Sequence, residues 1–177
     1  MKKIEKILIG THNKGKIKEL SYLLNKKIKK ISPFQLNIKS PIETGTTFKS
    51  NSELKAKYFF QKSKIITISD DSGLSVECLG GKPGIYSARW AKKYGGFNQA
   101  MYKIIKLVRN KNKNKKKQNT RAKFVCSLTL YISSKKKITT IGTIHGNISR
   151  KLLGKNGFGY DPIFIPLGYN LTFGQMT

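Results

Sequence analysis

The sequence predicts an α/β fold, and three stretches predict it. A β-branched run, Ile65-Ile66-Thr67-Ile68, reads as a buried strand and passes directly into Ser69-Asp70-Asp71-Ser72-Gly73-Leu74. Residues 3–9 run apolar into Gly10, and a polar turn then opens a helical pattern at Ile17, Leu20, Leu23 and Leu24. Farther on, Phe124–Ile132 and Ile138–Ile148 read as an antiparallel pair turning at Ser133–Lys137. A chain of 177 residues without repeats or a break in composition is most simply a single domain over 1–177.

The other elements follow in order. Residues 28–38 give a short strand and a loop. Pro41–Phe48 leads into a helix ending near Gln61, capped by Thr46 or Thr47, with Asn51 and Lys55 four apart on one face. Residues 80–90 carry three glycines and a proline ahead of Tyr86, Arg89 and Trp90, which indicates a shaped loop. Phe97 to Val108 reads as a helix with Met101, Ile104, Ile105 and Val108 inward. Asn110 to Asn119 is nearly all Lys and Asn, a self-repelling run expected to be solvated and mobile.

Composition narrows the function. Cys78 and Cys126 are far apart and lack metal-ligand spacing, so they read as buried thiols. Neither a signal peptide nor a membrane-length apolar segment is present, which points to a cytoplasmic protein. The chain has 36 Lys and Arg against 8 Asp and Glu, a formal charge of +28. That charge suits anionic ligands. Arginine, the residue of phosphate forks and base edges, is confined to positions 89, 109, 121 and 150, and Ile and Asn are abundant. The charge is therefore read as compositional drift ahead of a dedicated nucleic-acid partner.

Against that background the few acids stand out. Asp70 and Asp71 are placed where a strand leaves the sheet, the end at which α/β proteins bind ligands. Two carboxylates sharing a site call for a cation. Glu43 lies in the loop before the second helix, and Asp161 lies in Asn156-Gly157-Phe158-Gly159-Tyr160-Asp161-Pro162. Glycines on either side of Phe158 allow backbone to approach a flat ligand closely. The turn Thr11-His12-Asn13-Lys14-Gly15-Lys16 at a helix start can collect an anion, although it lacks Walker A spacing and an ordinary βα turn would read the same.

Six motifs in this order resemble the dITP/XTP pyrophosphatases, the ITPase family that removes non-standard purine nucleotides. They are T-x-N-x-x-K at Thr11, Asn13 and Lys16; E-T-G-x-T-F at Glu43–Phe48; and N-x-x-x-K-A at Asn51–Ala56. S-D-D-S-G-L at Ser69–Leu74, G-G-x-P-G-x-x-S-A-R-W at Gly80–Trp90 and G-F-G-Y-D-P at Gly157–Pro162 complete the set. The resemblance implies an elongated fold with a long mixed β-sheet, flanking helices and two lobes around a central nucleotide cleft.

It further implies Mg²⁺-dependent hydrolysis of dITP, ITP and XTP to the monophosphate and pyrophosphate, and a homodimer. Carried over residue by residue, it makes Glu43 and Asp71 the metal-associated acids and Asp71 the general base. Asp70 takes a supporting part. Thr11, His12, Asn13, Lys14, Gly15, Lys16, Lys55 and Ser72 match substrate-binding positions on the phosphate side. Phe158, Gly159, Tyr160 and Asp161 match the segment bordering the purine. Relatives continue beyond Thr177 with a lysine, a Ser-His-Arg segment and a final helix that contact the base. The expectation is that this chain is a fragment or a truncated gene product, and that base choice is the property most exposed to the difference.

Overall fold

The computed structural model describes residues 4–176. Among them, six strands and four α-helices occur in the order β1 (Lys6–Ile9), α1 (Lys14–Leu23), β2 (Lys29–Ile31), α2 (Phe48–Ser63), β3 (Thr67–Val76), α3 (Ser87–Tyr94), α4 (Phe97–Asn112), β4 (Arg121–Ser133), β5 (Lys136–Ile148) and β6 (Phe164–Pro166). The strand order is β2-β1-β3-β4-β5-β6. β1 runs parallel to β2 and β3, whereas β6 pairs antiparallel with Gly146–Ile148 of β5, so the sheet is mixed. The chain divides into two compact units, one up to Asp71 together with Cys126–Ile141, the other Ser72–Val125 with the residues from Gly142 on.

In the first unit, Ile7, Ile9, Leu20 and Ile68 form a core with Ile17 and Leu24 packed against it. Leu23 belongs to the same helical pattern yet is 75% exposed, because a ten-residue helix turns only one stripe to the sheet. Helix α2 is held differently. Its buried face carries Asn51 and Ser52 beside Ala56 and Phe59, so polarity has to be satisfied inside. The Ser52 hydroxyl does this with Ser127 Oγ and Thr129 Oγ1, each 2.9 Å away.

Thr47 starts α2, accepting the Ser50 N–H at 3.0 Å, while Ser50 Oγ accepts the Thr47 N–H. Lys64 ends it in the left-handed region at φ 57°. Thr47→Ala is expected to destabilise the protein by about 1 kcal/mol through loss of this cap, read as a lower midpoint in urea with the slope unchanged.

In the second unit, Leu74, Val76, Met101, Ile104, Ile163 and Phe164 are core residues, and Phe124 and Phe173 pack against them. Ser87–Trp90, read from sequence as the end of a shaped loop, instead open helix α3. Helix α4 runs four residues beyond Val108. Buried Asn112 donates to the Val108 carbonyl at 2.8 Å and exchanges bonds with the Asn119 backbone, so the lysine-rich run is pinned at both ends. Both cysteines are free thiols and half-buried rather than buried. No helix among the described residues is long and apolar enough to cross a membrane.

Candidate active site

The first correction concerns the acid pair. Asp70 and Asp71 do not sit where the strand ends: β3 continues through them to Val76. They do lie just past the parallel pairing with β1, whose register ends at Ile9 opposite Ile68. The pleat turns neighbouring residues to opposite faces, so the two carboxylates meet different partners. Asp70, on the face that carries Ile68, is 3.6 Å from Lys16 Nζ of α1. Asp71, on the face that carries Ser69, accepts from Asn51 Nδ2 of α2 at 3.0 Å.

Asn51 is the residue that the motif contained but the sequence reading gave no role. It is fully buried, and its Oδ1 accepts the Gly45 N–H at 2.8 Å while its Nδ2 serves Asp71. One side chain thus ties the Glu43–Phe48 loop to the carboxylate. The close approach requires glycine: a Cβ on Gly45 would lie 2.5 Å from Asn51 Oδ1 and 2.9 Å from its backbone nitrogen. The sequence signal was the spacing that puts Asn51 and Lys55 on one helix face.

Lys55 follows one turn later, its Nζ 3.1 Å from Glu43 Oε1. Asp71 is 7% exposed, and burial pushes its carboxyl up to about 6. Lys55 and the Asn51 hydrogen bond act against that rise, while Glu43 and Asp70 add to it. The result is a carboxylate at neutral pH that remains a usable proton acceptor. Glu43 and Asp71 are oxygen donors of the kind a hard divalent cation takes. Among the described residues no three His, Cys, Asp or Glu side chains are grouped so as to hold a metal ion.

The turn before α1 is capped by its own side chain. Asn13 caps the helix, its Oδ1 accepting the Gly15 and Lys16 N–H groups at 2.9 and 3.3 Å. Asn13 thus orders the start of the helix and holds these two N–H groups in place. Thr11 is buried, and its hydroxyl accepts the Asn13 N–H at 3.2 Å. Lys14 is exposed. Lys16 also contacts Glu19 at 3.4 Å; burial lowers its pKa, but Asp70 and Glu19 outweigh that and hold it above the ordinary lysine value. His12 lies 2.6 Å through Nδ1 from Ser40 Oγ, with Phe34 edge-on at 4.7 Å.

The second unit holds the remaining candidates. Ser72 is half-buried in β3. Asp161 accepts the Phe158 N–H at 2.8 Å, and a Cβ on Gly157 (φ 71°) would lie 2.1 Å from the Asp161 carboxylate. The close approach that Gly157 permits is thus to Asp161 itself. Gly159 is also left-handed, at φ 69°. Tyr160 is 2% exposed, and its hydroxyl donates to the Ser87 carbonyl at 2.8 Å. Burial raises that phenol well above its ordinary value, so it remains a neutral core group.

The Ham1 family model matches residues 7–177. A dITP/XTP pyrophosphatase of Rhizobium meliloti (strain 1021) is 39% identical over 175 residues, covering 97% of this chain and 81% of the relative. One from Nautilia profundicola is 38% identical, with 97% and 86% covered. Among solved structures, a HAM1 protein from Coxiella burnetii superposes with a TM-score of 0.85 at 28% identity, covering 97% of this chain and 87% of that one. The Staphylococcus aureus Ham1 protein gives 0.78 at 34% identity, covering 97% and 86%. The mixed α/β sheet, the motif order and the match over nearly the whole length agree, and the chain belongs to the Ham1 family.

Proposed function

We propose that this protein hydrolyses dITP, ITP and XTP between the α- and β-phosphates, giving the monophosphate and pyrophosphate. The observation that carries the proposal is Asp71, a buried carboxylate fixed by Asn51 and flanked by the Lys55–Glu43 pair, in a chain whose similar relatives are named dITP/XTP pyrophosphatases. In the reaction, Asp71 takes a proton from the water whose oxygen bonds to the α-phosphorus. The bond to the bridging oxygen breaks, and pyrophosphate leaves with the bonding electrons. Lys55 and Lys16 balance the polyphosphate charge. A Mg²⁺ ion at Glu43 and Asp71, when bound, supplies further charge neutralisation on the phosphate oxygens.

Base choice follows from hydrogen bonding. Inosine and xanthosine carry an acceptor oxygen at position 6 where adenosine carries an amino donor. A protein donor facing that position is left unpaired against adenosine, which penalises the common nucleotide. The segment Phe158–Asp161 is assigned to the purine side of the substrate, with Tyr160 acting by shaping it from within. Thr11, His12, Asn13, Lys14, Gly15 and Ser72 belong to the phosphate side. The protein acts as a cytoplasmic homodimer that clears damaged purines from the nucleotide pool.

The test is pyrophosphate release in Mg²⁺ from dITP, XTP, dGTP and dATP. Release from dITP and XTP at least tenfold faster than from dGTP and dATP is the expected result. Equal turnover of all four would replace the proposal with a pyrophosphatase of relaxed base choice. No turnover by a folded protein would overturn it.

A further inference from the structure

We propose that the second unit carries a binding groove for single-stranded nucleic acid. The groove has a volume of about 900 Å³ and runs along the last turns of α4, the lysine-rich run after it, and Ile148–Arg150. Its cations are Lys106, Arg109, Lys113 and Arg150, all exposed, and no Asp or Glu occurs among the described residues lining it. Tyr102, 57% exposed, stands on the same helix face one turn before Lys106, and Ile105 lines the groove beside it. A basic track with an open aromatic ring is the combination that holds phosphates and stacks a base.

Two observations separate this groove from diffuse lysine charge. The chain has only four arginines, and Arg109 and Arg150 line this one groove. Drift toward lysine removes arginine without regard to place, whereas the planar guanidinium is what forks a phosphate. Secondly, the residues beside the groove are tied to one another. Buried Asn112 fixes Asn119 to the end of α4, and Arg150 Nη2 lies 3.4 Å from Gln118 Oε1. The second unit also has nearly half of the 36 basic residues but only two acids, Glu77 and Asp161. Both accept hydrogen bonds, from Asn119 Nδ2 and the Phe158 N–H. The attractive field is therefore hardly opposed.

A fluorescein-labelled single strand of about twelve nucleotides, titrated with the full chain at several salt concentrations, reads this out by anisotropy. Replacing the four groove cations (Lys106→Gln, Arg109→Gln, Lys113→Gln and Arg150→Gln) is expected to weaken binding at least tenfold. The slope of log K against log salt should become shallower by about 3. The same loss of charge at exposed positions of the first unit (Lys26→Gln, Lys27→Gln, Lys29→Gln and Lys62→Gln) should weaken it less than threefold. Tyr102→Ala should weaken it roughly fivefold or more with the salt slope unchanged. Binding should survive Asp71→Asn, which keeps this result separate from the fate of the hydrolase. Equal losses in the two fourfold variants, no effect of Tyr102→Ala, or equally tight binding of a duplex or of poly-glutamate would each overturn the proposal.

Discussion

Asp71→Asn is expected to lower pyrophosphate release by about a thousandfold while raising the melting temperature at pH 7. The first half follows from removing the proton acceptor, a loss typically worth about 10² to 10⁴ in rate. The second follows from burial. The carboxyl is lifted from its ordinary range to about 6, so ionising it in the fold costs free energy that ionising it in the unfolded chain does not. An acid with a raised folded pKa contributes stability below its unfolded pKa, near 4, and that contribution is lost as pH rises through about 6. At pH 7 the wild type therefore bears the full cost of roughly 2–3 kcal/mol. Asparagine retains an oxygen to accept from Asn51 Nδ2 and bears no charge, so the variant should melt about 5 °C or more higher at pH 7. The gap should shrink toward zero at pH 4, where Asp71 is protonated in the folded wild type. Thermal scans of both proteins at pH 4, 5, 6 and 7 check this. A variant less stable than wild type at pH 7 would mean that Lys55 and Asn51 hold the carboxylate more firmly than burial opposes it.

That stability conflict was partly legible in the sequence. A chain that carries so few acids yet puts two of them together marks the stretch around residue 70, and periodicity found the strand that delivers it. The β-branched run over residues 65–68 stops at Ser69, so the apolar pattern predicts that the strand stops there too. The structure has the strand over Thr67–Val76, since backbone pairing does not require apolar side chains and Ser69, Asp70 and Asp71 find partners in Gly10, Lys16 and Asn51. A continuing pleat is what turns Asp70 toward Lys16 and Asp71 toward Asn51. Helix α3 escaped for the opposite reason: its glycine- and proline-rich approach signals a turn, and the helix starts only after it. The groove on the second unit could not be read at all. Its cations lie on α4, just after it at Lys113, and at Arg150, and only the fold brings Arg150 beside the other three.

Asn51→Ala is expected to have the largest effect of any substitution outside the proposed reacting groups. The side chain is fully buried and serves two partners in opposite directions, so its removal leaves the Gly45 N–H and the Asp71 carboxylate each short of a partner. A buried group left unpaired costs about 1–3 kcal/mol, more for a charged one, so the sum is a large part of a stability of about 5–15 kcal/mol. A merely structural role would stop there. The Asn51 bond also holds the Asp71 pKa down against burial, so its loss moves that carboxyl farther up from about 6. The acid limb of kcat/KM should therefore shift to higher pH, with part of the lost rate recovered at pH 8–9. Asn51→Asp keeps the shape and the acceptor for Gly45 but turns a donor into a second carboxylate facing Asp71. It should fold best at low pH and shift the limb farther still. The discriminating measurement is the pH–rate profile of whichever variant remains folded. A lowered melting temperature with an unmoved acid limb would reduce Asn51 to a fastener of the loop. A limb displaced toward alkaline pH would show that the same amide sets the basicity of Asp71.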